Sequence, residues 1–256
     1  MSLLVWNVRG YNKEGRKRDI MDHIHSISPS IVALVETKVK LRNLQKINSC
    51  VPMEWLSCNN FHLSDKGRIW IAWNPNVWSC VVHACSLQHI TLSIKNQGGL
   101  SGYLTIVYGF NTQGGRQMLW KELMDMQITS SPWLISGDFN TARFTTEKVG
   151  GKALLFSQLS PFNDFISSCA LSDLRSGGST WTWNNKSIEA KRIAGRLDRV
   201  LCNTHWLTIL PMAYYEYLPH STGDHSPMSV HFICGPTLGY KPTLQVFQLL
   251  AECEGF

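Results

Sequence analysis

The chain has 256 residues, 44% of them hydrophobic, which is enough to bury a full core in one α/β domain. Its formal charge of +6 favours a polyanionic partner without requiring one. The eight cysteines form no C-x-x-C pair and fall mostly in apolar runs, so they argue against a zinc ribbon and for buried free thiols in a reducing compartment.

From the N-terminus, MSLLVWNVRG is too short an apolar run for a signal peptide, and no later run approaches a membrane span. The expectation is a soluble intracellular protein with no membrane partner. Strand-like runs follow in order: Leu3 to Val8, Ile31 to Val35, Ile69 to Trp73, Ile90 to Ile94, Tyr103 to Tyr108, Trp133 to Ser136, Arg196 to Leu201 and Met228 to Ile233. Helical spacing places Ile20, Ile24 and Ile27 on one face, Leu119, Leu123 and Met126 on a second, and Phe162, Phe165 and Cys169 on a third. Ser160 and Pro161 read as the start of that third helix.

Clustered strands with few helices between them do not alternate as a doubly wound sheet would, so two packed sheets with helices outside fit better. Gly and Pro at both ends of residues 235–242 mark a linker. The domain is therefore expected to span residues 1–235, with a linker and tail over 236–256.

Polar residues collect at strand ends. Asn7 interrupts an apolar run, where a buried amide needs a partner. Glu36 follows I-V-A-L-V and can meet a hard divalent cation or serve as a cap. In W-L-I-S-G-D-F-N, extended geometry puts Asp138 and Asn140 on one side and Phe139 on the other, while Gly137 allows a close backbone approach to a ligand. Tyr108 also ends an apolar strand.

In T-G-D-H-S-P, adjacent Asp224 and His225 can both reach one phosphate, or simply form a solvated turn. Asp198, inside the strand of R-L-D-R-V, can orient His225 or pair with Arg196 or Arg199. Basic residues at Arg9, Lys13, Arg16, Lys17 and Arg18, and at Lys186, Lys191, Arg192 and Arg196, read as phosphate contacts, the first cluster equally as the solvated face of the helix carrying Ile20 and Ile24. Trp70, Trp73 and Trp133 read as core, and Trp183 as a substrate neighbour.

The ordered set W-N-V-R-G, V-E-T-K, V-Y-G-F-N, G-D-F-N, T-W-T-W-N, R-L-D-R-V and G-D-H-S-P, from residue 3 to about 233, resembles the endonuclease/exonuclease/phosphatase superfamily. That resemblance implies a DNase I-like four-layer α/β sandwich of mostly antiparallel sheets and a magnesium-dependent phosphodiester hydrolysis, with manganese as the other candidate cation. It implies a metal-side set of Asn7, Glu36 and Asp224, water activation by Asp138 with Asn140 as its positioning partner, and a phosphate-side Tyr108 hydroxyl. It also implies that Asp198 orients His225, and that Arg9, Asn111, Lys148, Thr182 and Trp183 stand near the substrate. Gly223 departs from the pattern, which usually has Ser there.

V-E-T-K, E-K-V-G-G, W-T-W-N-N and R-L-D-R-V further resemble endonuclease domains of plant LINE-type retrotransposons. The tail from Gly239 resembles the approach to a reverse transcriptase segment that this chain does not contain. The implied partner is DNA, cut by a monomer in the nucleus without a small-molecule cofactor, leaving a 3′ hydroxyl. An abasic-site repair endonuclease, an inositol-phosphate phosphatase and an inactive relic are the competing readings. The phosphatase branch has W-C-D-R where this chain has R-L-D-R.

Overall fold

The computed structural model describes residues 1–13, 15–188, 191–219 and 223–234. In chain order the first strands are β1 (Ser2–Asn7), β2 (Ile31–Val35), β3 (Leu56–Asn59), β4 (Ile69–Trp73), β5 (Trp78–Cys85), β6 (His89–Asn96), β7 (Ser101–Tyr108) and β8 (Trp133–Asp138). The later ones are β9 (Lys148–Val149), β10 (Leu171–Asp173), β11 (Ser176–Gly178), β12 (Trp183–Asn184), β13 (Ala194–Gly195), β14 (Asp198–Asn203), β15 (Tyr214–Tyr217) and β16 (Met228–His231). The helices are α1 (Arg16–Ile27), α2 (Leu44–Asn48), α3 (Gln113–Asp125), α4 (Phe156–Ser168) and α5 (Thr204–Ile209).

Two mixed sheets carry the architecture. The first runs β11-β15-β16-β1-β2-β4-β3 and the second β10-β14-β8-β7-β6-β5, while a small third sheet, β12-β13-β9, sits beside them. Alternation along each strand explains the layers. Leu3 and Val5 of β1 face the second sheet across a shared core with Leu104 and Ile106 of β7, while Leu4 and Trp6 face Ile20 of α1. On the other side Trp133 and Ile135 of β8 pack against Trp120 of α3 and Phe162 and Phe165 of α4. The result is the α/β sandwich anticipated from clustered strands, and strands buried on both faces read as continuous apolar runs.

The third long helix starts earlier than Ser160 and Pro161 suggested, at Phe156, and holds Pro161 inside it. Proline leaves the carbonyl four residues back without its helical partner. Here that carbonyl, on Ser157, accepts instead from the Gln113 side chain at 2.6 Å, so the proline is tolerated.

Among the described residues the cysteines are free, as expected, but only partly buried. Cys50 and Cys202 are buried, whereas Cys85 and Cys234 are exposed. Trp70, Trp73 and Trp133 lie in the core. The linker and tail expected over 236–256, with the Gly235 boundary, fall outside the described residues. Among the described residues no helix is long and apolar enough to cross a membrane.

Candidate active site

Strand pairing brings the polar strand ends together. β1 and β2 run parallel with Asn7 opposite Val35, so Glu36 emerges beside Asn7. β7 and β8 run parallel with Tyr108 opposite Asp138, and antiparallel β14 sets Asp198 opposite Asp138. The Asp224–His225 segment precedes β16, which pairs with β1. Each sheet thus supplies half of one rim.

The two halves are joined by hydrogen bonds. Asn7 Nδ2 donates to Asp138 Oδ2 at 2.7 Å and to Glu36 Oε2 at 3.3 Å. Asp138 also accepts from the Asn140 backbone N–H at 2.9 Å and from Asn140 Nδ2 at 3.3 Å, while Nδ2 donates to Gly109 O at 2.8 Å. Across the cluster, Asp198 Oδ2 lies 2.8 Å from His225 Nδ1, and His225 Nε2 points toward Asp138 Oδ2 at 3.9 Å. Arg196 and Arg199 bond elsewhere: Arg196 donates to the Tyr215 and Tyr217 hydroxyls, and Arg199 to Asp173 and Glu147.

The backbone at the rim is unusual. Arg9, Glu36 and Asn140 take φ of 43°, 52° and 50°, a left-handed conformation that non-glycine residues enter at a cost. The turn at Asn140 replaces the extended path assumed for G-D-F-N, because the Asp138 carboxylate captures the Asn140 N–H. Phe139 still faces away, into the core under Trp120. Gly137 serves the fold, since a Cβ there would meet Val107 O at 2.1 Å.

Electrostatics separate the acids. Burial first, and the Asp198 charge second, push the Asp138 carboxyl up to about 7. Burial would lower His225, but Asp198 and Asp138 outweigh it and raise the imidazole to about 9. Burial also works against the Asp224 carboxylate, yet His225 and Arg9 hold it below the ordinary range. Asp224 takes an ion pair from Arg9 and a hydrogen bond from Trp183 Nε1 at 3.2 Å.

A cation fits the donor set. Asp138, Asp198 and His225 offer ligand atoms within 4.8 Å of one another, but Asp198 is engaged by His225, so the carboxylate turned to a cation is Glu36, beside Asn7 on the same rim. Buried carboxylates whose charges repel, with oxygen donors predominating, suit a hard divalent ion. Asp224 is already paired with Arg9, and Glu36 with Lys38.

The remaining residues divide. Lys148 and Trp183 line a cavity of about 190 Å³ with Asn140, Gly195 and Leu197, and Lys148 Nζ bonds Lys152 O at 2.6 Å. Asn111 is exposed on the loop after Tyr108. Thr182 is fully buried, and its Oγ1 accepts the N–H groups of Leu197 and Asp198 at 3.0 Å each, so it braces β14 rather than facing the rim. Sequence reasoning passed over Trp6, whose Nε1 donates to His225 O at 3.0 Å, and Lys38, which pairs with Glu36 at 2.8 Å. An indole buried next to Asn7 in W-N-V was the available signal for the first, since a buried N–H seeks an acceptor.

Solved structures with this sandwich include the endonuclease domain of TRAS1, a telomere-specific non-LTR retrotransposon, at a TM-score of 0.68 and 12% identity over 90% of this chain and 97% of that one. A 3′-5′ exonuclease, NExo, from Neisseria meningitidis matches at 0.66 and 16% identity over 91% and 100%. The AP endonuclease LMAP from Leishmania major matches at 0.67 and 10% over 92% and 88%. No curated protein matches the chain in sequence. The sequence signature of one family does, over residues 4–225, a span that runs from β1 to the histidine facing Asp138. By that match the chain belongs to the endonuclease/exonuclease/phosphatase family.

Proposed function

We propose that the protein is a magnesium-dependent endonuclease that nicks DNA, of the kind encoded by LINE-type retrotransposons. The observation that carries this reading is the joining of Asn7, Glu36, Asp138, Asn140, Asp198 and His225 into one rim drawn from both sheets. Supporting it are the TRAS1 neighbour and the local strings E-K-V-G-G and R-L-D-R-V. A Neisseria 3′ phosphatase of the same fold has been seen with a product DNA hairpin, which supports DNA as the substrate class.

Phosphodiesters resist hydrolysis because the nucleophile meets negative charge. Magnesium bound at Glu36, with Asn7 beside it, would offset that charge. Asp138, raised toward neutrality and oriented by Asn7 and Asn140, is suited to take a proton from water. His225, held charged by Asp198, presents Nε2 to the same space and stabilises charge developing on the phosphate. Arg9 and Trp183 hold Asp224, which fixes the loop carrying His225.

The test is nicking of supercoiled plasmid with magnesium, by wild type and by Asp138→Ala and His225→Ala. The expected result is EDTA-sensitive nicking that falls roughly 100-fold or more in each variant. Equal nicking by all three would assign the activity to a contaminant and end the proposal. A duplex with one abasic site belongs in the same assay, because an AP endonuclease shares the fold. A strong preference for that duplex would favour the repair reading.

A further inference from the structure

Arg68 immediately precedes β4 in the first sheet, yet its side chain crosses to the second. Its Nε donates to Leu87 O at 2.6 Å, in the turn between β5 and β6, and its Nη2 donates to Tyr108 O at 3.0 Å, at the end of β7. The guanidinium lies over the Tyr108 ring at 4.3 Å and over the Phe110 ring at 4.6 Å. Next to it Gln88 completes the fastening: its backbone O accepts from Tyr108 N at 2.8 Å, and its Oε1 accepts from Phe110 N at 2.7 Å. The segment so held supplies two things to the rim. Gly109 O accepts from Asn140 Nδ2, and the Tyr108 phenol lies within electrostatic reach of Glu36 and Asp138.

We infer that Arg68 is a positioning residue: from the first sheet it fixes the Tyr108–Phe110 edge of the second, and so keeps the Tyr108 phenol beside Glu36 and, through Gly109 O, the Asn140 amide on Asp138. Glu36 and Asn7 come from one sheet and Tyr108 and Asp138 from the other, so their alignment depends on what ties the sheets at the rim. Core packing between sheets is non-directional. A planar fork bonded to two carbonyls and stacked on two rings is directional. Lysine keeps the charge but cannot reproduce both carbonyl bonds and the stacking. The charge of Arg68 also opposes the burial that pushes the Tyr108 phenol up, which is consistent with its placement but not the basis for it.

The inference deepens the nuclease reading and rests on it for one arm of its test. In that arm Arg68→Met and Arg68→Lys are measured for nicking, alone and in a Tyr108→Phe background. Arg68→Met should lower kcat roughly 10-fold to 100-fold with KM within about twofold, since misplacement by an ångström is enough for that loss. In Tyr108→Phe the same change should cost less than it does in wild type, the remainder acting through Gly109 and Asn140, and Arg68→Lys should recover part of the loss. Additive effects, or a loss confined to KM, would overturn the inference, the latter marking Arg68 as a substrate contact.

The second arm uses no substrate. Amide hydrogen exchange at Tyr108, Gly109 and Phe110 should rise roughly tenfold or more in Arg68→Met, while amides in the centres of β1 and β8 stay protected. Unchanged exchange at the three amides overturns the inference even if the enzyme is active. Raised exchange in a protein that cleaves nothing would uphold Arg68's positioning and sink the nuclease reading instead.

Discussion

At His225 burial and neighbouring charge pull in opposite directions, and the balance is set by one residue. Burial lowers the imidazole; Asp198, at 2.8 Å from Nδ1, is the leading charge that raises it to about 9. Replacing Asp198 with Asn removes that charge and keeps the shape. An NMR titration should then show the His225 pKa falling from about 9, and kcat for nicking should drop roughly 100-fold or more, as it does when an orienting carboxylate is lost. A pKa that stays near 9 would mean that Asp138 and Asp224 hold the proton, and that Asp198 is structural. Asp138, Asn140, Asp198 and His225 were legible in the sequence because each interrupts an apolar run or sits in a dense string of turn-formers. Arg68, Gln88 and Trp6 were not, because their partners are carbonyls and rings distant in sequence that only the sheet pairing brings near. Thr182 was misread for the same reason: nothing in W-T-W-N announces that its hydroxyl caps the N–H groups of β14.

Among the elements, β8 shows how the site is tied to the sheet that bears it. Gly137 has φ of 143°, and a Cβ would stand 2.1 Å from the carbonyl oxygen of Val107 on β7. Backbone cannot move aside as a flexible side chain can. Gly137→Ala is therefore expected to destabilise the protein by about 3 kcal/mol or more, read as a lower urea midpoint with an unchanged m value. A shift within about 0.5 kcal/mol, the range of an ordinary surface change, would show that β7 and β8 can separate at this point. The central strands were legible because burial on both faces leaves a continuous apolar run. β5 was not: it is an edge strand whose exposed Val81 and Val82 break the expected pattern, and its register against β6 slips between Val82 and Ala84. β3, β11, β12 and β13 are four residues or fewer, too short to carry a period.

For the molecule as a whole, the rim requires both sheets to stay packed, and conditions that loosen the sandwich should act on the site before they act on any one residue. Acid is such a condition, through His89. This residue lies on β6, only 2% exposed, with Nε2 3.5 Å from Glu122 of α3. Burial pushes its pKa down to about 4 from an ordinary 6.5. The unfolded chain therefore binds a proton at His89 between pH 6.5 and 4 that the folded chain refuses. Stability from this group is fully present above pH 6.5 and is lost as pH falls toward 4. Between pH 7 and pH 5 the loss should be about 2 kcal/mol, less whatever the Glu122 contact returns. Urea unfolding at both pH values, for wild type and His89→Gln, isolates the group because every other titration is common to the two proteins. The variant should lose less stability than wild type over that interval. Equal losses would mean that Glu122 accepts the proton's charge in place, and that the α3 face of the second sheet tolerates acid better than its burial implies.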